Sequence, residues 1–559
     1  MQTGERLAEL LVENGVTHVF GVPGGQTLPL YEGIRKFQGR IEHVLMRDER
    51  SAGFAADAHA RLTGRVGVCD ATVGPGATNL VSPLAEAHCS SIPLIAVVAD
   101  VARKLEHRRV RGSASQAMEQ MEMFRTVSKW QVTVTDPESI DTIFRQALRV
   151  ATTGRPGPVV LCVPDDVAKA QLEFPRLEGG EEGSFYPRFR SAPGTEQVKT
   201  AAGLLREASN PLLLVGGGAL IAGCQGQVRD LAEKIGAAVV TSISAKGVID
   251  ENHPHVFGVT GTFGNPVARD VGNEADVVLL VGCKAGQLTT FNYQFPSPGQ
   301  TVIHLEIDGE EIGRNFPGSV PLLGDAALGL DALLKELDDA SDSSSWDFPS
   351  WKEKQDDWRA GQIDPERAGE PLRPQPVMGV VNEMLTDHDL VVCDASLASG
   401  WAATYLTFEK SGRRLIAPRG LAGLGWGTPA AIGAWLGSQG AKRVIQFAGD
   451  GGFSYSMQEL EVMNRFQMPV ISIIFNNDTL GWIKHVQRDH YDENYFSTDY
   501  AHIDFATVAR GCGVRGHTVT TLDELRDALQ KEANPAGPAV IEVISDQWES
   551  PVQAFFYGS

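Results

Sequence analysis

The 559-residue chain has no apolar run near the roughly 18 residues that a membrane-spanning helix needs. Nor does it open on a basic stretch followed by an apolar one. Leu7, Leu10 and Leu11 already carry an amphipathic helical pattern, so no secretory signal is read there. Basic residues are in deficit: 49 Lys and Arg stand against 70 Asp and Glu, a formal net charge of −21. Sequence-independent nucleic-acid binding and docking on anionic lipid both need a basic face, so neither is expected; a local basic pocket for an anionic substrate is still compatible. Cysteine is sparse, odd in number and scattered, with seven residues at 69, 89, 162, 224, 283, 393 and 512. With no C-x-x-C pair among them, neither a disulfide framework nor a zinc knuckle is indicated. These absences fit a protein of the reducing cytoplasm, with no membrane and no nucleic-acid partner.

What is present points to an α/β protein. Apolar residues make up 42 % and charged residues 21 %, as in ordinary globular proteins. At ~150 residues per domain the length suggests three or four domains. Short apolar runs such as His18–Gly21, Val66–Ala71, Leu94–Ala99 and Val159–Val163 read as buried parallel strands, with helix-like stretches between them. That alternation predicts doubly wound parallel sheets with helices on both faces. Two stretches break it. Glu173–Gln197 is rich in Gly, Pro and Glu and reads as a linker; Asp338–Pro374 is polar with little apolar periodicity. The expected domains are therefore 1–172, 190–337 and 370–559. One internal similarity stands out. A helix-like Asp136–Leu148 leads to Gly157-Pro158 and the run Val159–Val163, and a helix-like Leu522–Leu529 leads to Gly537-Pro538 and Ala539–Val543 (537 − 157 = 380 residues apart). Either Gly-Pro is simply a common turn before a buried strand, or the first and third domains share one topology.

The strongest chemical signal lies in the last third. Val444–Ala448 reads as a strand running into Gly449-Asp450-Gly451-Gly452. A helix follows, with Met457, Leu460 and Met463 on one face, then a strand Val470–Phe475 ending at Asn476-Asn477. Asn477 comes 27 positions after Asp450 (477 − 450), the length of one strand–helix–strand unit. Both polar groups then reach the carboxyl ends of neighbouring parallel strands, where such sheets bind ligands. Glycines let backbone approach a diphosphate closely, and carboxylate and amide oxygens are hard ligands suited to Mg²⁺.

With Gly449-Asp450-Gly451 and Asn476-Asn477 in place, the sequence resembles the thiamine-diphosphate-dependent enzymes over essentially its whole length, and most closely their acetolactate synthase (acetohydroxyacid synthase) branch. Phe20-Gly21-Val22-Pro23-Gly24-Gly25 looks like that branch's first loop. Arg47-Asp48-Glu49 with Gly53, Ala55-Ala56-Asp57, Ala60-Arg61 and Thr63-Gly64 is similar to its glutamate helix, and Gly74–Asn79 to its next glycine loop. Gly423–Gly427 with Pro429-Ala430-Ala431 resembles part of its cofactor-binding domain. The resemblance implies a pyrimidine-binding domain first, a central domain second and a diphosphate-binding domain third, the outer two sharing a fold. It implies that Glu49 activates thiamine diphosphate by sharing a proton with its aminopyrimidine, and that Leu424 props the coenzyme in a bent form. Asp450, Asn477 and the Thr479 carbonyl would hold Mg²⁺. Gly25, Thr72, Pro75, Asn79, Ser396, Leu397, Gly423, Gly449, Gly451, Gly452, Leu480, Gly481 and Trp482 would line the coenzyme. Gln26 and Gln116 would contact substrate. The implied reaction forms a carbanion at the coenzyme's C2 from a 2-keto acid and transfers it to a second carbonyl. Because Glu49 and the metal ligands lie in different domains, the resemblance implies a homodimer at minimum, with a homotetramer common.

The sequence also departs from the acetohydroxyacid synthases. Lys284-Ala285-Gly286-Gln287-Leu288 stands where they carry Arg-Phe-Asp-Asp-Arg, so Leu288 replaces an arginine that pairs with the acceptor's carboxylate, and FAD binding is left open. Val486 stands in place of a tryptophan, Ser115-Gln116-Ala117 in place of Phe-Gln-Glu, and Leu397-Ala398 in place of Gln-His. A lyase or non-ligating decarboxylase, like benzaldehyde lyase or 2-hydroxyacyl-CoA lyase, and a transferase like carboxyethylarginine synthase are the alternatives. A 2-hydroxy carbonyl compound is then the alternative substrate. Arg103, Lys104, His107, Arg108, Arg109 and Arg111 cluster before Gln116, as a funnel for an anionic substrate or as an ion-paired surface patch. Gly216-Gly217-Gly218 follows a strand but lacks the G-x-G-x-x-G spacing of a nicotinamide site.

Overall fold

A computed structural model describes residues 1–174, 183–438 and 440–552. Three six-stranded sheets, every pairing parallel, carry the architecture. The first contains β1 (His18–Gly21), β2 (Glu42–Leu45), β3 (Gly67–Ala71), β4 (Leu94–Asp100), β5 (Trp130–Thr133) and β6 (Val159–Pro164), in the order β2-β1-β3-β4-β6-β5. The second contains β7 (Pro211–Val215), β8 (Ala238–Thr241), β9 (Val256–Val259), β10 (Val277–Val281), β11 (Thr301–Glu306) and β12 (Val320–Leu323), in the order β12-β11-β10-β7-β8-β9. The third contains β13 (Asp389–Cys393), β14 (Leu415–Ile416), β15 (Arg443–Gly449), β16 (Val470–Asn476), β17 (Arg515–Val519) and β18 (Ala539–Ile544), in the order β14-β13-β15-β16-β18-β17. Strands such as β3, β4, β7, β10 and β16 are buried along their whole length, which is why they read as unbroken apolar runs rather than alternating ones.

Numbered within each sheet, the first and third share the order 2-1-3-4-6-5. The second, read from β9, follows 3-2-1-4-5-6, the order of doubly wound dinucleotide-binding sheets. The Gly-Pro repeat in the sequence thus marks equivalent strands: β6 and β18 each lie between the fourth and fifth strands of their sheets.

By compactness the chain forms two units. One comprises Met1–Phe189 with Pro418–Ala441 and Ser456–Met468; the other comprises Arg190–Ala417, Lys442–Tyr455 and Pro469–Ser559. In the first unit, helix Gly427–Gly437 packs closely on helix Glu49–Thr63. A Cβ on Gly433 would lie 1.9 Å from the Ala55 carbonyl oxygen, so only glycine permits the approach. Trp426, fully buried, seals the contact by donating its indole N–H to Asp57 Oδ2 at 3.0 Å.

Two readings of the connections need correction. The expected linker is ordered after its midpoint, positions 175–182 lying outside the described residues. Tyr186 is buried and donates its hydroxyl to the Ala60 carbonyl at 2.9 Å, and Gln197 belongs to helix Thr195–Glu207. The polar stretch 338–374 contains a 16-residue helix, Phe348–Ile363, capped by Asp347. Trp351 is the one buried residue of that helix, so it carries no apolar stripe to be read. The single helix expected after Asp450 is also broken, into Asp450–Ser454, a 3₁₀ turn Met457–Glu459 and Leu460–Arg465.

Candidate functional site

In the first unit the loops at the carboxyl ends of β1, β2 and β3 gather the expected pyrimidine-side residues. Glu49 opens helix Glu49–Thr63, whose N-terminus is capped by Asp48 accepting from Ser51 N at 2.8 Å. Glu49 is buried, and its Oε2 accepts from Asn79 Nδ2 at 2.9 Å. A Cβ on Gly76 would meet Glu49 Oε1 at 2.9 Å and Thr72 Cγ2 at 3.0 Å, so the glycine loop closes directly over the carboxyl group. Thr72 Oγ1 donates to Gln26 Oε1 at 3.1 Å, which brings Gln26 into the same cluster. Gly25 faces open space: a Cβ there would meet no atom within 4 Å, so packing within the chain does not demand glycine there. Pro75 is exposed on the same loop. Gln116 is exposed in a left-handed conformation (φ 62°), and its carbonyl oxygen would lie 2.3 Å from a Cβ on Gly74, which locks its loop against the glycine loop.

The loop bearing Gly423 and Leu424 is positioned by a residue that sequence reasoning missed. Glu86, 1 % exposed, accepts three consecutive backbone N–H groups, from Gly420 (2.9 Å), Leu421 (2.7 Å) and Ala422 (3.0 Å). Arg61 pairs with it at 3.3 Å and with Asp57 at 2.9 Å. Although burial favours its neutral form, Arg61, Ser90 and the loop N–H groups hold Glu86 below the usual carboxylate range, while burial pushes Asp57 up to about 6. The only signal in the sequence was the one carboxylate of helix Val81–Ser90.

Glu459 is a second residue of this kind. Fully buried, it accepts from Arg47 N at 3.2 and 3.3 Å, just before the Glu49 helix, and burial pushes it up to about 7.

In the second unit the expected metal ligands converge. β15 and β16 are neighbours, with Gly449 opposite Phe475. Asp450 therefore emerges beside Asn477, and its Oδ2 accepts from Asn477 N at 3.0 Å while Oδ1 accepts from Gly451 N at 2.6 Å. Asn477 Oδ1 faces Thr479 N at 3.4 Å, and Thr479 is anchored through its hydroxyl on the Thr498 carbonyl at 3.1 Å. Leu480 N donates to Thr498 O, and Gly481 lies against Leu397, a Cβ there meeting Leu397 Cδ1 at 3.0 Å. Trp482 packs on Phe263, ring centroids 5.5 Å apart. Ser396, which caps helix Leu397–Tyr405, holds φ 66°, ψ −144°, a conformation that costs a non-glycine residue about 1–3 kcal/mol and concentrates at functional sites. A Cβ on Gly452 would meet Asp394 at 3.1 Å, and one on Gly451 the Tyr500 hydroxyl at 3.0 Å. Gly449 has ordinary backbone angles (φ −82°) and nothing within 4 Å, so neither strain nor packing in the chain requires glycine there.

This second cluster fits a divalent cation with a diphosphate. Asp450 is 6 % exposed and forms no ion pair among the described residues; burial, with the Asp478 charge adding, pushes it up to about 6 against the N–H groups of Gly451 and Asn477. Among the described residues no group of three His, Cys, Asp or Glu side chains could hold a metal alone. One carboxylate, one amide and a carbonyl leave the remaining positions for ligand oxygens.

Elsewhere, the basic cluster is partly consumed. Arg109 forms a bidentate pair with Asp100 (2.8 Å to each oxygen), and Arg103 pairs with Asp166 at 2.8 Å. Gly216 and Gly218 make room for backbone: a Cβ on them would meet the Gly282 carbonyl at 2.3 and 2.8 Å. At the ends of β8 and β9 the buried hydroxyls of Thr241, Ser242, Thr260 and Thr262 have no hydrogen-bond partner among the described residues. None of the seven cysteines forms a disulfide, and no helix among the described residues is long and apolar enough to cross a membrane.

Three parallel sheets, the outer two alike, with a buried glutamate in one and an Asp–Asn pair in the other, define the architecture of a thiamine-diphosphate enzyme. Family models for such proteins match all three parts: the N-terminal TPP binding domain over residues 1–123, the central domain over 198–333 and the C-terminal TPP binding domain over 394–543. The chain belongs to the thiamine pyrophosphate enzyme family. It is 32 % identical to a probable acetolactate synthase large subunit of Methanocaldococcus jannaschii, over 98 % of this chain and 93 % of that protein. It is 33 % identical to the acetolactate synthase large subunit of Corynebacterium glutamicum (97 % and 87 %) and 32 % identical to that of Haemophilus influenzae (94 % and 91 %).

Proposed function

We propose that this enzyme uses thiamine diphosphate and Mg²⁺ to decarboxylate a 2-keto acid and to join the remaining fragment to a second carbonyl compound. The observation that carries this is the buried Asp450 carboxylate, in no ion pair among the described residues, beside Asn477 at the ends of adjacent strands. Bound coenzyme supplies the nucleophilic carbon and the electron sink. Asp450, Asn477 and the Thr479 carbonyl are the residues that would hold Mg²⁺, with Gly449, Gly451, Gly452, Ser396 and Leu397 along the diphosphate. Glu49, buried under the Gly76 loop, would hydrogen-bond the aminopyrimidine ring of bound coenzyme. Leu424, on the loop tied down by Glu86, would pack against the bound coenzyme, and Gln26 and Gln116 would orient substrate. The domain limits proposed are 1–172, 190–337 and 370–559, with a homodimer as the smallest assembly, a homotetramer as the expected one and the cytoplasm as location.

The second reading, a lyase or non-ligating decarboxylase, or a transferase like carboxyethylarginine synthase, is favoured by Leu288, which offers an acceptor carboxylate no cation. Product analysis with pyruvate alone and with added acceptors tests both: acetolactate supports ligation, acetaldehyde or cleavage of 2-hydroxy ketones the second reading. Turnover of neither substrate class defeats both. Glu49→Gln should lower turnover by about 100-fold or more while leaving coenzyme affinity nearly unchanged. A flavin spectrum of the purified protein decides whether FAD is present.

A further inference from the structure

One buried ammonium in the second unit is not used by the mechanism above. Lys484 lies in the first turn of helix Gly481–His490 and is buried. Its Nζ donates to Asp499 Oδ1 at 2.7 Å and to Gln547 Oε1 at 2.8 Å. The rings of Tyr495 and Trp548, themselves 5.4 Å apart, lie 5.5 and 5.1 Å from the same nitrogen. One charge thus gathers the helix, the loop that follows it and the segment after β18. A buried ammonium is costly unless it is paired, and the two ring contacts add to the two hydrogen bonds.

Asp499 links this charge to the cluster around Asp450. It pairs antiparallel with Thr479 in an isolated bridge. On either side of that bridge, Leu480 N donates to the Thr498 carbonyl and Tyr500 N to the Asp478 carbonyl, each at 2.8 Å. The Thr479 hydroxyl donates to the same Thr498 carbonyl at 3.1 Å. Residues 478–480 are therefore held by residues 498–500. The stretch from helix Gly481–His490 to helix Phe505–Gly511 contains no other helix or strand, so side-chain anchors fix its course. Asp499 is exposed, and the buried Lys484 ammonium is what ties it down. We propose that Lys484 is a positioning residue for the metal site: by pinning Asp499 it fixes the segment that holds Thr479 for Mg²⁺.

This rests on the thiamine diphosphate reading and deepens it. Mn²⁺ in place of Mg²⁺ serves as the probe. Its binding to the full-length protein at saturating thiamine diphosphate is followed by electron paramagnetic resonance, which reads both the affinity and the symmetry of the ligand set. Lys484→Met should weaken Mn²⁺ binding about 10-fold and alter the bound spectrum, and Asp499→Ala should do the same. The double variant should be no weaker than either single one, because each removes the same interaction. Lys484→Arg, which still carries the charge and can stack on the rings, should restore most of the affinity. A folded Lys484→Met protein with wild-type affinity and spectrum overturns the proposal, as does a loss that Lys484→Arg leaves in full. If Lys484→Met does not fold, wild-type behaviour of Asp499→Ala overturns it. A wild type that binds no Mn²⁺ with thiamine diphosphate defeats the functional reading itself, whereas tight binding indifferent to both substitutions defeats only the role of Lys484.

Discussion

Asp450 is a buried carboxylate in no ion pair among the described residues, and that makes metal dependence measurable in the fold itself. Mg²⁺ with thiamine diphosphate at about 100 times its Kd should stabilise the protein by about 2.7 kcal/mol, and a chelator should remove the gain. Asp450→Asn should abolish the Mg²⁺-dependent part of the melting shift; an intact shift would mean the ion binds elsewhere. Gly21 offers an independent check. Gly21→Ala drives a methyl into Asp70 and should cost about 1–3 kcal/mol, read from the urea midpoint. At this scale the sequence was informative where spacing coincided with strand ends, as for Asp450 and Asn477. It was silent on Glu86 and Glu459, because a residue that accepts backbone N–H groups from hundreds of positions away leaves no local pattern.

Among elements, the loop Pro418–Gly425 depends on Glu86 more than on its own residues. Glu86→Ala strands three N–H groups and removes one of the two carboxylates paired with Arg61, so a loss of about 3–5 kcal/mol is expected, measured by chemical denaturation. The same variant should become sensitive to protease within 418–426 before the rest of the unit unfolds. The regular elements were readable because buried parallel strands are short apolar runs and their glycines mark the turns. Helix Phe348–Ile363 was not, since a helix resting on Trp351, with Trp358 stacked on Tyr405 at 5.8 Å, needs no amphipathic stripe. The Gly157 and Gly537 repeat did carry topology, as β6 and β18 occupy matching places.

For the molecule as a whole, pH acts through buried carboxyl groups. Glu459 titrates near 4.5 when unfolded and at about 7 when folded. Between those values the unfolded chain has released a proton that the native one retains, so stability falls as pH rises from about 4.5 to 7. The full effect of this one group is up to about 3 kcal/mol. Glu459→Gln should flatten that part of the stability profile, checked by melting at pH 5 and pH 8.

Trp426 and Asp57 lie 369 residues apart in the chain, yet both belong to one compact unit. At about 5–20 residues per second, a ribosome that has made Asp57 needs roughly 20–70 s to deliver its indole partner. Throughout that interval the nascent alanine-rich face around Ala55 is bare, waiting for a cover encoded near the far end of the message. Translation products that stop short of codon 418 should therefore aggregate or occupy chaperones, however completely their first 189 residues have been synthesised.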